Sequence, residues 1–267
     1  MKLIFSSIFL VFFSSTILAD IVLGVVPQQS PLKLIKVWSP ITKYLTESTG
    51  IKVTFKTERS IPKFEQELYS GAYDIAYMNP YHYVLAHKKQ GYMAKVRAQK
   101  NIKGILVMQK DPKDKKIDFK NKNYVFPAPN AFAATLVTKY ELIKYFGVDI
   151  KDLNNAKYVN SHDSVYNYIS KGLGDIGGGI ERTYNNMKND KIKSNLRIVY
   201  TTKKYPSHPF AFKRSMDKKV QAMLIDALLK MPEDLLRSLS IKKFIKIDNS
   251  EYDNVKNLAS KLSLIKD

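Results

Sequence analysis

Residues 69–76 read Tyr-Ser-Gly-Ala-Tyr-Asp-Ile-Ala, and residues 170–177 read Ser-Lys-Gly-Leu-Gly-Asp-Ile-Gly. In both stretches the pattern predicts a helix that ends at a glycine, followed by a buried strand that begins at an Asp-Ile pair. The recurrence of this helix-to-strand step indicates two similar α/β units in one chain.

Strands and helices alternate outward from both stretches. The first block has predicted strands at 21–26, 51–57, 74–78, 94–98 and 104–109, with helices from 31 up to Gly50, at 62–70 and at 81–90. The second has predicted strands at 124–126, 157–160, 175–179 and 196–201, with helices at 131–146, 164–170 and 183–188. Helices at 216–230 and 252–264 close the chain. This alternation predicts an α/β fold with largely parallel sheets, two lobes and a ligand cleft between them.

The N-terminus has the layout of a secretory signal peptide. Met1-Lys2 is a short positive start, 3–18 carries no charge, and Ala19 precedes Asp20. A membrane anchor is the alternative, because the apolar run approaches the roughly 20 residues of a spanning helix. We favour cleavage after Ala19, because a small residue stands at the cleavage position and a strand-like run follows at once. Residues 1–19 are therefore predicted to be a signal peptide, and 20–267 a periplasmic protein.

Charge and cysteine content exclude several classes of protein. The net charge is +20, from 44 Lys+Arg against 24 Asp+Glu, but lysines are scattered along the chain with acids between them. Such a pattern is typical of a solvated surface, so nucleic acid is not an expected partner. With no cysteine, the chain has no disulfide, no thiolate metal site and no cysteine to lipidate. We expect a free, monomeric periplasmic protein.

Motifs for catalysis or cofactors are weak. Gly172-x-Gly-x-x-Gly177 has the spacing of a dinucleotide-binding loop, yet it follows a helix and leads into a strand, the reverse of the required order. Ser161, His162 and Asp163 are adjacent, so they cannot converge as a catalytic triad. No pair among the four histidines has H-x-H or H-x-x-x-H spacing, so a zinc site would have to be assembled from distant segments. The chain is therefore predicted not to be an enzyme and to bind no cofactor and no metal; the histidines are His82, His87, His162 and His208.

Polar and small residues follow several predicted strands. These junctions are 26–30 (Val-Pro-Gln-Gln-Ser), 77–81 (Tyr-Met-Asn-Pro-Tyr), 126–134 (Phe-Pro-Ala-Pro-Asn-Ala-Phe-Ala-Ala) and 160–163 (Asn-Ser-His-Asp). In open α/β sheets, ligands bind at the carboxyl ends of the strands. A helix that begins there offers free backbone N–H groups and the positive end of its dipole, which suits an oxyanion.

Several short motifs, taken in their order along the chain, resemble those of a known protein family. The motifs are Gly24-x-x-Pro27, Trp38-x-Pro40-(x)4-Leu45-(x)4-Gly50, Gly71-x-x-Asp74-Ile-Ala76, Lys110-Asp111, Pro129-Asn130, Ser161-His-Asp163, Gly172-x-x-Asp175 and Tyr205-Pro-Ser-His208-Pro-Phe210. With them the chain resembles the periplasmic substrate-binding proteins of ABC importers for phosphonate, phosphite and phosphate. The resemblance implies a two-lobed periplasmic-binding-protein-like fold with a hinge crossover, closing on its ligand. It implies a lobe 1 of residues 20–107 and 203–267 and a lobe 2 of residues 108–202.

Two departures from the family leave the ligand's identity open. Family members carry a Ser-Thr-Ser type cluster after Pro-Asn, whereas this chain has Ala131-Phe-Ala-Ala134. The family's Pro-Ser-Asp-Pro element, whose acid can meet an amino group of the ligand, reads Pro206-Ser-His208-Pro here. Fewer hydroxyl donors predict weaker phosphonate binding and a less hydrated or more apolar small ligand.

The junctions and the resemblance together define the candidate site. His162 is the first candidate, since an imidazole can donate a hydrogen bond to an anion. Alternatively, Tyr77, Asn79 and Tyr81 only finish a strand and cap a helix, Phe132 packs in the core, and Glu181 forms a surface ion pair. The candidate ligand-binding residues are Gln28, Tyr77, Asn79, Tyr81, Asn130, Ala131, Phe132, Ala133, Ser161, His162, Glu181 and His208.

We therefore expect a periplasmic solute-binding protein that captures a small anion, of the phosphonate, phosphite or phosphate type or related to it. Its expected partner is the permease of an ABC importer. A periplasmic sensor that presents its ligand to a membrane signalling receptor is the alternative, and an exported hydrolase is the third and least favoured.

Overall fold

The structure is a computed structural model that describes residues 20–110 and 117–263. The predicted signal peptide at 1–19 and Asp111 of the Lys-Asp motif lie outside the described residues. Within the described ranges, no helix is both long and apolar enough to cross a bilayer.

Strands and helices alternate as the sequence indicates. The strands are β1 Ile21–Val25, β2 Val53–Thr57, β3 Ile75–Tyr77, β4 Met93–Ala98, β5 Ile102–Gln109, β6 Tyr124–Phe126, β7 Lys157–Tyr158, β8 Ile176–Ile180, β9 Leu196–Tyr205, β10 Pro209–Phe212 and β11 Phe244–Lys246. The α-helices are α1 Pro31–Thr49, α2 Ile61–Tyr69, α3 Pro80–Gln90, α4 Thr138–Phe146, α5 Ile150–Asn154, α6 His162–Ser170, α7 Glu181–Asn185, α8 Asp190–Ser194, α9 Lys218–Leu229, α10 Glu233–Ser238 and α11 Asp253–Ser263. A π-helix, Phe132–Val137, leads into α4, and a 3-10 turn, Asn249–Tyr252, leads into α11.

The strands form two sheets, one for each lobe. The first sheet has the order β11-β4-β10-β3-β1-β2, and the second has the order β7-β6-β8-β5-β9. Pairing is parallel only for β1–β2, β1–β3, β6–β7 and β6–β8 among the described strands. The prediction of two α/β lobes was confirmed, whereas that of largely parallel sheets was wrong. The antiparallel pairs are β3–β10, β4–β10, β4–β11, β5–β8 and β5–β9, and each contains β4, β5 or β10, strands that lie beside a crossing between the two sheets.

The two similar stretches of sequence occupy equivalent places in the two sheets. In each, a glycine with positive φ ends a helix, Gly71 at 78° and Gly172 at 70°. The aspartate that follows fastens the start of a neighbouring strand. Asp74 Oδ2 accepts from the backbone N of Val22 at 2.9 Å, and Asp175 Oδ2 accepts from that of Asn123 at 2.7 Å. The Asp-Ile pair therefore begins β3 in one sheet and β8 in the other, and its aspartate holds the start of the parallel neighbour, β1 or β6.

The chain crosses between the two sheets twice. It leaves the first sheet after Ala98, enters β5 at Ile102, and returns between Tyr205 and Pro209. We call residues 20–98 and 206–263 the first lobe and residues 102–205 the second lobe. The predicted boundaries at 107/108 and 202/203 lie inside β5 and β9, and the limits of the two moving bodies stay a prediction.

The π-helix lies against the centre of the second sheet. The carbonyl oxygens of Ala133 and Ala134 lie 2.1 Å from where a Cβ of Gly104 or Gly178 would stand. Only glycine allows this approach on β5 and β8. The π-helix begins two residues after Asn130, so this close packing also helps to position Asn130.

Candidate functional site

Three of the four histidines are buried where the lobes meet. His82 is in the first turn of α3, His162 is the first residue of α6, and His208 precedes β10; their exposed fractions are 0%, 1% and 1%. The Nδ1 atom of each has no hydrogen-bond partner among the described residues. His82 and His162 both contribute to the lowered pKa of His208, so we call the three side chains the imidazole cluster and these nitrogens the open Nδ1 atoms. A buried polar atom without a partner costs about 1–3 kcal/mol, so three together point to a ligand site.

Gln28 fixes the tautomer of His208. The Nε2 atoms of the two side chains lie 2.8 Å apart, and the His208 ring stacks on Tyr77 with centroids 5.5 Å apart. An amide nitrogen only donates, so His208 Nε2 accepts and the ring proton is on Nδ1. Burial, with the positive charge of Arg182, holds the pKa of His208 well below its usual range. His208 is therefore a neutral imidazole with an N–H at its open Nδ1.

Glu65 fixes His82 in a different way. Its Oε1 lies 2.8 Å from His82 Nε2 and accepts from Asn130 Nδ2 at 2.7 Å. Asn79 caps α3 by accepting from the backbone N of His82 at 2.8 Å, and its Nδ2 donates to the carbonyl of Asn130 at 3.0 Å. The carboxylate therefore fixes Nε2 of His82 as an N–H, so the open Nδ1 has a lone pair and can accept a hydrogen bond from a protonated oxygen of a ligand.

His162 enters the cluster from the second lobe. Ser161 caps α6, because its Oγ accepts from the backbone N of Ser164 at 3.1 Å. The backbone N of His162 donates to the carbonyl of Gln28 at 3.5 Å. Burial, together with the positive charges of Arg182 and Lys33, lowers the pKa of His162 to about 3. His162 is therefore neutral at physiological pH.

Four contacts join the lobes around this cluster. Asn130 of the second lobe meets Asn79 and Glu65 of the first, and His162 meets Gln28. At the rim, Lys33 Nζ lies 3.5 Å from Asp163 Oδ2, and both side chains are well exposed. The structure therefore has the two lobes closed over the imidazole cluster.

The structure brings together seven of the predicted residues and separates the rest. Phe132 is buried against the edge of Tyr205, with centroids 5.3 Å apart, and Ala131, Ala133 and Tyr81 pack in the same apolar core. The carboxylate of Glu181 lies 3.7 Å from the ammonium groups of Lys100 and Lys103, beside the first crossing. The residues at the imidazole cluster are Gln28, Tyr77, Asn79, Asn130, Ser161, His162 and His208.

Sequence reasoning missed two members of the site. His82 follows the helix cap Asn79 by three residues, which puts it in the first turn of a helix that begins at a strand end. That position could have identified His82 as a candidate ligand-binding residue. The histidines were instead judged only by their spacing as zinc ligands, which does not test for an anion site. Glu65 lies inside α2, and no local pattern distinguishes it from a surface glutamate.

The chemistry of the site favours an anion. The Nδ1–H of His208 is a donor, and no carboxylate of the described residues is within ion-pair distance of Arg182. Across residues 20–110 and 117–263, no group of three His, Asp or Glu side chains is arranged to hold a metal ion. Donors in a positive field, away from water, bind oxyanions well.

Comparison with known proteins agrees with this geometry. The chain is 26% identical over 161 residues to a protein of Prochlorococcus marinus (strain MIT 9301) named "Probable ABC transporter phosphite binding protein PhnD1", which covers 55% of this chain and 54% of that relative. The structure of PhnD1 from the same organism in complex with methylphosphonate superposes with a TM-score of 0.84 at 20% identity, covering 91% of this chain and 98% of that one.

Two further structures share the fold. A binding protein component of an ABC phosphonate transporter from Pseudomonas aeruginosa has a TM-score of 0.81 at 16% identity, covering 93% of this chain and 89% of that one. A histidine kinase sensor domain with similarity to periplasmic binding proteins has a TM-score of 0.54 at 12% identity, covering 90% and 95%. The sequence model of one protein family, the periplasmic phosphonate-binding proteins of ABC transporters, matches residues 23–252. The chain therefore belongs to the family of periplasmic phosphonate-binding proteins of ABC transporters.

Proposed function

We propose that this protein captures a small phosphorus oxyanion in the periplasm and delivers it to the permease of an ABC importer. The observation that supports this most is the imidazole cluster: three buried histidines from both lobes, each with an open Nδ1. A ligand that supplies acceptor oxygens at that point satisfies His208 and offsets the cost of burying unpaired polar atoms.

The imidazoles take the place of hydroxyl donors. Ala131, Ala133 and Ala134 contribute no hydroxyl, and the hydroxyl of Thr135 is bonded to the carbonyl of Ala128 at 2.8 Å. Ring N–H groups and amides remain as donors to a phosphonate or phosphite. The relative that crystallised with methylphosphonate supports this ligand class.

Capture needs closure rather than covalent chemistry. Ligand oxygens at the imidazole cluster contact His82 and His208 of the first lobe and His162 of the second, so they favour the closed form over the open one. The serine beside His162 is engaged in the helix cap, and its Oγ lies 2.8 Å from Ser164 Oγ. We therefore propose binding without catalysis, and the exported hydrolase is not supported.

A sensory role is the second candidate, because a histidine kinase sensor domain shares the fold. A strain that lacks this protein distinguishes the two roles. Loss of uptake of a radiolabelled phosphonate supports transport, whereas retained uptake with loss of a transcriptional response supports sensing.

We also propose that the chain is exported, cut after Ala19, and left free and monomeric, because it has no cysteine to lipidate. Intact-mass measurement of the periplasmic fraction tests this. A chain beginning at Asp20 agrees, and a membrane-bound chain that keeps 1–19 contradicts it.

A binding screen tests the ligand class. Residues 20–267 are titrated with methylphosphonate, phosphite, phosphate, sulfate and acetate while thermal unfolding is followed. A ligand at 100 times its Kd stabilises by about 2.7 kcal/mol, which shifts the Tm of a chain this size by roughly 5–10 °C. His162→Asn and His208→Asn should lose the shift, and exposed His87→Asn should keep it. A shift with a neutral or cationic solute, and none with any oxyanion, overturns the proposal.

A further inference from the structure

A cavity of about 420 Å³ opens beside the imidazole cluster, with walls from both lobes. Gln28 and Tyr77 belong to its wall, and both also contact His208. From the first lobe, α1 adds Lys33 and Lys36, and from the second lobe, α7 adds Arg182. A ligand whose oxyanion lies at the cluster therefore has room for a substituent that extends past Gln28 into this cavity.

The walls of this cavity are basic. Lys33, Lys36, Arg182, Lys188 and Arg237 line it, and no aspartate or glutamate of the described residues is among the lining residues. Lys33 is paired with Asp163 at 3.5 Å, and Arg237 with Glu233 at 3.4 Å, so part of the charge is compensated.

Three of these cations are not compensated by a nearby carboxylate. No described carboxylate is within ion-pair distance of Lys36, Arg182 or Lys188. Of the three, Arg182 is the one whose positive charge contributes to the lowered pKa of both His162 and His208. It is also half-buried, so water screens it less than an exposed lysine.

We propose that this cavity is a second anion subsite, and that the preferred ligand is a small phosphonate whose substituent carries a carboxylate. The inference rests on the proposed function, because it places the phosphonate group at the imidazole cluster. Arg182 is the main recognition residue, since a guanidinium forms two parallel hydrogen bonds with a carboxylate. A methyl substituent leaves these charges unpaired, and an ammonium substituent is repelled by them.

Calorimetric titration with three probes of similar size tests the subsite. The probes are phosphonoacetate, methylphosphonate and 2-aminoethylphosphonate, at pH 7.5 and low salt. We expect phosphonoacetate to bind at least tenfold more tightly than methylphosphonate, and 2-aminoethylphosphonate to bind most weakly. Arg182→Gln should remove the preference for phosphonoacetate, and Arg182→Glu should reverse the order of the two charged probes. Arg182→Lys keeps the charge and should keep the order. The exposed Arg214→Gln is the matched control, and it should leave all three affinities unchanged.

The outcomes separate the two proposals. Equal affinity for the three probes overturns the subsite. A preference for phosphonoacetate that persists in a folded Arg182→Glu variant overturns it too. Both outcomes are compatible with phosphonate capture. Absence of binding by all three also overturns the subsite, and it overturns the proposed function itself when phosphite and phosphate fail to bind as well.

Discussion

The side-chain amide of Asn130, in the second lobe, donates a 2.7 Å hydrogen bond to Oε1 of Glu65, in the first lobe. The same oxygen lies 2.8 Å from Nε2 of His82. One carboxylate therefore links closure of the lobes to the orientation of an imidazole in the ligand site. Opening the lobes removes the Asn130 donor and leaves His82 as a partner of Glu65.

The first prediction concerns this link. Asn130→Asp replaces a donor with a carboxylate that faces Glu65, so the closed form should lose about 1.5–3 kcal/mol, the range for a hydrogen bond to a charged group. The affinity for methylphosphonate should fall roughly ten- to hundredfold. Calorimetry measures the affinity, and small-angle scattering should show a larger radius of gyration at saturating ligand.

Asn254→Asp on the exposed face of α11 is the matched control, because it makes the same charge change away from the cleft. The role given to Asn130 is contradicted if both variants bind methylphosphonate as tightly as the unmodified protein.

The second prediction concerns stability and pH. An unfolded histidine has a pKa of about 6.5, whereas burial lowers the pKa of His162 to about 3. Between these values the unfolded chain binds a proton that the folded chain does not. The stability contributed by the neutral ring is therefore complete above about pH 6.5 and is lost as the pH falls, by about 1.4 kcal/mol per pH unit.

His162→Gln should reduce this dependence by the share of one histidine, because glutamine does not titrate whereas the buried His208 still does. Urea denaturation of the ligand-free protein at pH 7.5, 6.0 and 5.0 gives the free energy of unfolding. The difference between the two proteins should change by about 1.4 kcal/mol for each unit below pH 6.5. Parallel pH dependences would show that His162 is not buried as described.

Much of the fold could be predicted from local patterns. Helix ends at Gly50, Gly71 and Gly147 follow from glycine's access to positive φ, and the recurring Asp-Ile pair located two equivalent strands. The strands β10 and β11 were missed, because each is three or four residues long and is held by partners distant in sequence. Antiparallel pairing was missed for the same reason.

Sequence patterns predicted only those residues of the site that follow the ends of strands. Gln28, Asn79, Asn130 and His162 all follow strands, so the carboxyl-end rule found them. The rule also selected Phe132, whose side chain turns to the core. Glu181 was selected because it follows the three glycines at 177–179, and it pairs instead with Lys100 and Lys103. Glu65 was missed because its importance comes from the approach of Asn130 across the cleft, which no local pattern records.

The third prediction concerns the packing of the π-helix against the second sheet. A Cβ on residue 178 would lie 2.1 Å from the carbonyl oxygen of Ala134 and 2.3 Å from the ring of Phe126. Because backbone cannot yield as a flexible side chain does, Gly178→Ala should lose about 3 kcal/mol, the upper end of the range for overpacking. It should also weaken methylphosphonate binding, since the displaced π-helix follows Asn130.

Gly50→Ala is the control for the third prediction. In the part of the chain that the structure describes, a Cβ there meets nothing within 4 Å, but φ is 70°. It should lose about 1–2 kcal/mol from the left-handed backbone alone and keep its ligand affinity. Urea denaturation that finds Gly178→Ala no less stable than Gly50→Ala contradicts the described packing.

The central claim is that an oxyanion lies against the open Nδ1 atoms of the imidazole cluster. Long-range proton–nitrogen NMR of 15N-histidine-labelled protein observes each ring nitrogen directly, and His87, which is exposed on α3, is an internal control. On addition of methylphosphonate, the Nδ1 signals of His82, His162 and His208 should move while that of His87 stays in place. Saturable binding that leaves the Nδ1 signals of all three clustered histidines unchanged would contradict it.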